Sequence, residues 1–231
     1  MEWHEIVERD HELQNPTSRE KIELAGEYLR LAPGMRVLDV ASGHGGPALF
    51  LAERFGCRIH GIEYYESFAA TARERIATAG LEALVDVEVG DASKVSLEPA
   101  SWDVALCLGA AFIWGHIGDA AEKLVPAVVP GGGVAIGEPF WHEPGRADEG
   151  FVDLPSTVAR FQGAGLDLIG LVAASVDDWD RYESLHWRAA VDEIAAGADE
   201  KFVMTHHEHV DRHLRVRRDQ LGWAIFVGRK R

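Results

Sequence analysis

Short apolar runs alternate with amphipathic stretches over roughly the first 137 residues. The runs have the length of buried strands, and the stretches between them repeat their apolar residues at helical spacing. Strands are predicted at residues 36–40, 58–62, 83–89, 102–108 and 134–137. Helices are predicted at residues 18–31, 66–79 and 119–129, with a further helix beginning near Pro47. Strands separated by helix-length segments predict a parallel, doubly wound α/β sheet.

The second half of the chain follows this pattern less regularly. Residues 140–155 are polar and rich in Gly and Pro, which predicts a long loop. Beyond this loop the pattern predicts helices at 156–163, 177–196 and 205–220, and strands at 166–174 and 221–228. A bare α/β sheet would join the last two strands by a hairpin. We therefore interpret the two helices between them as an insertion that forms a lid within a single domain, residues 1–231.

Composition and charge limit the range of partners. The 231 residues carry a formal net charge of -15 at pH 7, which disfavours nucleic acid as a partner, because nucleic-acid binders usually present a basic surface. Cys57 and Cys107 lie in or beside apolar predicted strands, so we expect two buried free thiols rather than a disulfide. No apolar signal segment opens the chain, and no apolar run approaches the length of a membrane span. A cytoplasmic protein with no membrane partner is the expectation.

A loop of small residues joins the first predicted strand to the next helix. The sequence Ala41-Ser42-Gly43-His44-Gly45-Gly46 is one residue away from the dinucleotide fingerprint G-x-G-x-x-G. Residues 39–45 are also one residue away from D-x-G-x-G-x-G, a motif for S-adenosyl-L-methionine (SAM). The loop fits both templates and does not choose between them.

Two acidic residues follow later predicted strands. Glu63 ends the second strand, where a carboxylate can accept both hydroxyls of a ribose. Asp91 follows the third strand and suits hydrogen bonding to an adenine amino group. A Pro-Gly-Gly-Gly turn at residues 130–133 precedes the fifth predicted strand. The carboxyl ends of parallel strands share one edge of a sheet, so these residues are expected to meet.

In their order and spacing, these motifs resemble those of class I SAM-dependent methyltransferases. The resemblance covers residues 18–138, as a SAM-binding core. It implies a Rossmann-like seven-stranded sheet, with residues 139–220 as acceptor loop and lid and residues 221–228 as the antiparallel last strand. The cofactor contacts that it implies are Asp39, Ala41, Gly43, Gly45, Glu63, Tyr64, Asp91, Ala92, Leu108 and Gly109. Ala41 departs from the motif's usual glycine, and we expect a negative φ there, because a methyl group disfavours positive φ.

The acceptor side is less specified by the sequence. The segment after the fourth strand lacks the acidic or amide residue followed by Pro-Pro-aromatic that amino-directed nucleic-acid methyltransferases use, so we expect a small-molecule acceptor. Polar and aromatic residues after strand ends or on one helix face are the candidates for substrate binding: Trp114, Trp141, His142, Trp179, Tyr182 and His186. His116 and Glu138 are the candidate bases, with solvated loop residues as the alternative interpretation.

A His-rich stretch at residues 206–213 resembles a metal cluster. His206, His209 and His213 could share a helix face, but a polar face with His–carboxylate pairs explains the pattern as well, and we expect no metal. Two alternatives to methyl transfer stay open. One is a protein that binds SAM or its product S-adenosyl-L-homocysteine without transferring methyl, and the other is a nicotinamide oxidoreductase. The sequence leaves the oligomeric state open.

Overall fold

The computed structural model describes residues 3–231. The strands are β1 (Arg36–Val40), β2 (Arg58–Glu63), β3 (Val85–Val89), β4 (Trp102–Leu108), β5 (Val128–Trp141), β6 (Ala147–Asp148), β7 (Phe151–Val152), β8 (Leu166–Ala173) and β9 (Leu221–Lys230). The α-helices are α1 (Trp3–Val7), α2 (Arg19–Tyr28), α3 (Gly46–Phe55), α4 (Glu66–Ala79), α5 (Ile117–Leu124), α6 (Leu154–Gly163), α7 (Val176–Ala195), α8 (Glu200–Arg212) and α9 (Arg218–Gln220). A π-helical turn, His213–Arg217, joins α8 to α9.

Seven of the strands form one sheet in the order β3-β2-β1-β4-β5-β9-β8. Strands β1 to β5 pair in parallel, and β9 pairs antiparallel with both β5 and β8. This topology confirms the predicted seven-stranded, Rossmann-like sheet and its antiparallel last strand. Because the parallel strands end at one edge, the segments that follow Val40, Glu63, Val89 and Leu108 meet there.

The Pro-Gly-Gly-Gly segment lies inside a strand, and the predicted boundaries around it are wrong. Helix α5 ends at Leu124, five residues before the predicted end, and β5 already begins at Val128. Val128 is fully buried and pairs with Trp102, which suits a β-branched residue. The chain then bulges, with Gly131 at a φ of 74°, before Gly133 pairs with Val104. The glycines therefore form a bulge within β5 rather than the end of a helix.

Two other segments differ from the sequence-based expectation. The predicted loop at residues 140–155 is shorter, because β5 extends to Trp141 and β6 pairs with β7 as a small hairpin. The second lid helix begins at Glu200 instead of residue 205, since the Asp199 carboxylate caps it by accepting a hydrogen bond from the Phe202 amide.

Apolar side chains cover both faces of the sheet. One layer packs α2, α3 and α4 around residues such as Ile22 and Leu51, and the other packs α5 and α6 around Ile117 and Phe161. Cys57 and Cys107 are buried and free, as predicted. None of the helices in residues 3–231 combines the length and apolarity needed to cross a membrane.

Candidate functional site

A cavity of about 510 Å³ opens at the carboxyl edge of the parallel strands. This volume lies within the usual range for small-molecule and cofactor sites, and the position is where open α/β sheets bind their ligands. The residues that line it are His4, Glu8, Gln14, Asn15, Ala41, Gly43, Glu63, Tyr64, Tyr65, Phe68, Asp91, Ser93, Leu108, Gly109, Ala110, Phe112, Ile113 and Tyr182.

The small-residue loop after β1 forms part of this cavity through left-handed backbone turns. The φ angles of Ala41, Gly43 and Gly45 are 56°, 56° and 73°. The expectation of a negative φ at Ala41 is therefore wrong, since the chain must turn sharply from the strand into α3. A left-handed alanine costs about 1–2 kcal/mol, which the surrounding contacts must offset. Glycine suits position 43, because a Cβ atom there would lie 1.8 Å from Oε1 of Gln14 and would displace that side chain from its hydrogen bond to the His44 amide.

Glu63 links the end of β2 to this loop. Its carboxylate accepts hydrogen bonds of 2.8 Å from the Gly43 amide and 2.9 Å from the Tyr65 amide. Burial raises the pKa of Glu63, although these backbone hydrogen bonds favour the charged form. The bonds fix the carboxylate in the wall of the cavity.

Asp39 lies beneath the loop beside a smaller cavity. Its side chain is buried, and Oδ2 has no hydrogen-bond partner among the described residues, as is also true of the Ser42 hydroxyl. Burial, together with the nearby charge of Glu63, raises the pKa of Asp39 to about 7. Two buried polar atoms without partners are unusual in a folded protein and point to a bound polar group at this place.

The electrostatic character of the cavity distinguishes the two candidate ligands. Glu8, Glu63 and Asp91 line it, and none of the described lining residues is Lys or Arg. A dinucleotide would bring a pyrophosphate, which basic side chains or a free helix N-terminus normally hold. SAM instead carries a sulfonium cation and an ammonium group. The acidic lining therefore fits SAM and disfavours a nicotinamide dinucleotide.

The N-terminal segment, residues 3–17, closes one side of the cavity. The Gln14 side chain accepts a hydrogen bond of 2.8 Å from the His44 amide, and the Asn15 side chain donates one to the Leu108 carbonyl oxygen. Asn15 also lies where a side chain at Gly109 would point, and that glycine has a φ of 102°. No sequence motif predicts a role for this segment.

Glu8 and Tyr182 form another part of the cavity wall, where the N-terminal segment packs on α7. The Tyr182 hydroxyl donates a hydrogen bond of 2.8 Å to Oε1 of Glu8. Burial raises the pKa of Tyr182 well above its usual value. Burial is the largest single influence and opposes ionisation of Glu8, but the hydrogen bond and charge of His186, with His11 and Tyr182, together lower the pKa of Glu8. An ionised carboxylate and a neutral phenol thus meet at this wall.

Comparison with known proteins identifies the family. A family model described as a methyltransferase domain matches residues 37–132. A SAM-dependent methyltransferase from Geobacter sulfurreducens, crystallised with S-adenosyl-L-homocysteine, is 32% identical and superposes with a TM-score of 0.90, over 99% of this chain and 98% of that one. The chain belongs to the SAM-dependent methyltransferases. Its cofactor is SAM, as the sequence motifs predicted.

Two further relatives extend the comparison. The uncharacterized protein YjhP of Escherichia coli (strain K12) is 31% identical over 237 residues, which cover 96% of this chain and 95% of that protein. The 27-O-demethylrifamycin SV methyltransferase of Amycolatopsis mediterranei (strain S699) is 28% identical over 198 residues, or 78% of this chain and 69% of that protein.

The sequence-predicted site residues of this methyltransferase divide into two groups. Those that line the cavity are Ala41, Gly43, Glu63, Tyr64, Asp91, Leu108, Gly109 and Tyr182. Those that do not line it are Asp39, Gly45, Ala92, Trp114, His116, Glu138, Trp141, His142, Trp179 and His186. Of the second group, Asp39 borders the smaller cavity below the loop, and Gly45 is the residue before α3.

His116 and Glu138 lie outside the methyltransferase cavity. His116 is the N-cap of α5, where Nδ1 accepts hydrogen bonds of 3.1 and 3.3 Å from the Gly118 and Asp119 amides. Glu138 is buried in β5, where its Oε1 accepts a hydrogen bond of 3.2 Å from the Ile117 amide. Burial raises the pKa of Glu138 to about 7. Both residues therefore hold the start of α5, which is a structural task.

The candidate aromatic residues also have packing roles. Trp141 is 0% exposed and donates from Nε1 to the Asp148 carbonyl oxygen at 2.9 Å. Trp179 is buried in the same apolar layer as Trp141, and Trp114 packs on the opposite layer. His142 is exposed beside the ring of Phe140. Packing in the two apolar layers explains the positions of the three tryptophans.

The His-rich stretch pairs with a carboxylate on another helix. Nε2 of His209 lies 2.7 Å from Oε2 of Glu183, and Nδ1 of His213 lies 3.6 Å from Oε1 of the same residue. The pairing predicted within the stretch is therefore made instead with α7. The same helix places His186 against Glu8, at 2.8 Å between Nε2 and Oε1. Glu8 and Glu183, far apart in sequence, are the residues that sequence reasoning missed.

Proposed function

We propose that this protein transfers the methyl group of SAM to a small-molecule acceptor within the 510 Å³ cavity. The observation that carries the proposal is the acidic lining at the carboxyl edge of the sheet, which suits a cationic cofactor. SAM, when bound, supplies a methyl group on an already activated sulfonium. The chain then has to align the acceptor at a distance of about 3 Å and to exclude water.

The cofactor half of the site is proposed to follow the sequence motifs. Glu63 would hold the ribose hydroxyls, because its carboxylate is fixed in the cavity wall by two backbone amides. Asp91 and Ala92 would adjoin the adenine, and Tyr64 the ribose. Asp39, Ala41, Gly43 and Gly45 would adjoin the methionine end, where the unpartnered Oδ2 of Asp39 is available. Leu108 and Gly109 would lie beside the sulfonium.

The acceptor half is proposed to lie among Glu8, Phe112, Ile113 and Tyr182, which complete the cavity lining away from the loop. Cofactor and acceptor must share about 510 Å³, so the acceptor has to be small. The 27-O-demethylrifamycin SV methyltransferase among the relatives is named after a small-molecule acceptor, which supports a small molecule as the acceptor class here. Helices α7 and α8, together with the N-terminal segment, would act as the lid.

Proton transfer is assigned to neither His116 nor Glu138, since neither borders the cavity. Glu8 has a lowered pKa and is at the wall, so its carboxylate is the group that would accept a hydrogen bond from a protic acceptor. Tyr182 would orient Glu8, because its hydroxyl donates to that carboxylate. Positioning rather than general-base catalysis is the main task that these side chains perform.

Calorimetric titration with SAM, S-adenosyl-L-homocysteine and NAD in parallel tests the proposal. We expect both adenosyl ligands to bind and NAD not to bind. Glu63→Gln preserves the side-chain shape and should weaken the binding of both adenosyl ligands about 10-fold, which is the effect expected from the loss of one charge-assisted hydrogen bond. Glu82→Gln, on the surface, is the control and should leave both affinities unchanged. Binding of NAD alone would refute the proposal.

Turnover separates methyl transfer from binding alone. The protein is incubated with SAM and a panel of hydroxyl, amine, thiol and carboxylate acceptors, and S-adenosyl-L-homocysteine is quantified by mass spectrometry together with the methylated acceptor. Stoichiometric formation of both products supports methyl transfer. Tight SAM binding with no product across the panel would favour a binding protein instead.

A further inference from the structure

Three titratable side chains converge where the N-terminal segment packs on α7. Glu8, His11 and His186 are 6%, 2% and 7% exposed. One ligand atom from each of them lies within 4.8 Å of the ligand atoms of the other two. Glu8 also lines the cavity, so the cluster borders the proposed acceptor half of the site.

Glu8 contacts the two histidines in different ways: a hydrogen bond joins it to His186, and a longer distance separates it from His11. Oε1 of Glu8 lies 2.8 Å from Nε2 of His186, and Oε2 of Glu8 lies 3.5 Å from Nδ1 of His11. Two donors bound at about 2.1 Å to one tetrahedral zinc ion are themselves about 3.4 Å apart. The separation between Glu8 and His11 is long for a hydrogen bond and suits a common ligand.

The hydrogen bonding of His11 leaves an electrostatic conflict inside the cluster. Its Nε2 lies 2.9 Å from the carbonyl oxygen of Tyr182, which only accepts, so Nε2 carries the proton. In the neutral ring, Nδ1 then presents a lone pair towards Oε2 of the Glu8 carboxylate. Neither of these two buried atoms has a hydrogen-bond partner among the described residues. A positive species between them would resolve the conflict.

His11 has the outer partner that a metal-ligating histidine usually has. Its Nε2 donates a hydrogen bond of 2.9 Å to the Tyr182 carbonyl oxygen. A carbonyl oxygen in that position fixes the ring orientation and raises the basicity of the imidazole as a ligand. Behind His186 the Glu183 carboxylate lies at 4.0 Å, beyond hydrogen-bond distance, and pairs with His209 at 2.7 Å.

We propose that Glu8, His11 and His186 bind a divalent metal ion, with zinc as the ion that best suits this donor set. Two imidazoles and one carboxylate are a typical zinc set, and three protein ligands leave a fourth position free. Glu8 lines the cavity, so that position is available to a ligand there. If the proposed function holds, an acceptor oxygen or nitrogen would coordinate the ion and lose its proton more readily.

The His-rich stretch at residues 206–213 adjoins this site, because His209 forms a second group with Glu183 and His186, whose ligand atoms also lie within 4.8 Å of one another. Glu8→Gln separates the two groups, since only the proposed site contains Glu8. His207 is exposed on that stretch, and its ring adjoins that of His206. An exposed histidine can bind added metal without any built site. His207→Ala is therefore the matched control, because it removes a histidine from the surface and leaves the cluster around Glu8 intact.

The test measures metal binding by the full-length protein without SAM or acceptor. Chelator-treated protein is titrated with zinc against a chromophoric chelator, and with cobalt while the visible absorption is recorded. We expect one ion per chain. Glu8→Gln and His186→Gln should each weaken zinc binding at least about 10-fold, while His207→Ala leaves it unchanged. Circular dichroism establishes that each variant is folded.

Several results would overturn the proposal. The proposal is wrong if the wild-type protein does not bind one zinc ion per chain. It is also wrong if zinc binding is lost in His207→Ala but retained in Glu8→Gln and His186→Gln. A second proton on His11 is the alternative to a metal ion between the two atoms, and nitrogen NMR of the metal-free protein detects it. A doubly protonated His11 ring whose spectrum does not change when zinc is added would also refute the site. Each outcome is independent of methyl transfer, because SAM binding and product formation are measured separately.

Discussion

Replacing Asp39 with asparagine should remove a pH-dependent destabilisation of the cofactor-free protein. The Asp39 side chain is 1% exposed, and Oδ2 has no partner among the described residues. Burial first, and then the charge of Glu63, raises its pKa from 3.8 to about 7. At pH 8 the folded protein therefore holds a buried, poorly compensated charge.

The size and sign of the effect follow from proton linkage. The folded-state pKa is the higher one, so the proton stabilises the folded protein fully below about pH 4, and this stabilisation is lost as the pH rises to about 7. A pKa that moves from 3.8 to about 7 corresponds to about 4 kcal/mol. Asparagine does not ionise, so the variant should gain about that much relative to wild type between pH 4 and pH 8.

Urea unfolding of both proteins across this pH range measures the difference. Asp167→Asn, at an exposed position on the edge strand β8, is the control and should follow wild type. Other groups titrate in both proteins and cancel in the comparison. If the free-energy difference between wild type and Asp39→Asn were the same at pH 5 and pH 8, the burial argument would be refuted.

The same aspartate should link SAM binding to protons. A cationic ligand beside Asp39 favours the ionised carboxylate, so binding at pH 6.5 should release a proton and become tighter as the pH rises through about 7. Calorimetry in buffers of different ionisation enthalpy reports the released proton. Asp39→Asn should bind SAM more weakly and release no proton from this position.

Two further substitutions separate cofactor contacts from structural ones. Asn15→Ala removes the hydrogen bond to the Leu108 carbonyl and should weaken SAM binding about fivefold, the equivalent of about 1 kcal/mol. Calorimetry measures the affinity, and an unchanged affinity would contradict the prediction. His116→Ala removes the N-cap of α5 and should lower the unfolding free energy by about 1 kcal/mol while SAM affinity stays the same. A loss of SAM affinity without a loss of stability would contradict the capping role.

The cofactor half could be predicted because its signals are local. Each relevant residue follows a strand, and parallel strands bring such residues to one edge whatever the details of packing. Glu63 and Asp91 illustrate this, since their positions after β2 and β3 suffice to place both at the cavity. The alternation of strands and helices predicts the parallel part of the sheet, whereas the family resemblance implied seven strands with an antiparallel last one.

The rest depended on contacts that no local pattern encodes. Asn15 reaches Leu108, 93 residues later, and Glu8 reaches His186, 178 residues later. Residues 3–17 form only one short helix, so periodicity carries little information there. The helix face of Trp179, Tyr182 and His186 was identified, but its partner was not. Ala41 shows a different limit, because tertiary contacts hold a left-handed alanine that backbone preference alone disfavours.

The cavity is lined from two stretches of the chain, and this division has a consequence for how the protein can diversify. The methyltransferase-domain match, residues 37–132, includes the loop, Glu63 and Asp91 together with Phe112 and Ile113, whereas Glu8 and Tyr182 lie outside it. Substitutions of Glu8 or Tyr182 would change the proposed acceptor wall without replacing a residue of the proposed cofactor cradle. Gln14 and Asn15 do not have this freedom, because they hydrogen-bond to the loop and to Leu108. An exchange of acceptor specificity between relatives would therefore require Glu8 and Tyr182 to change together.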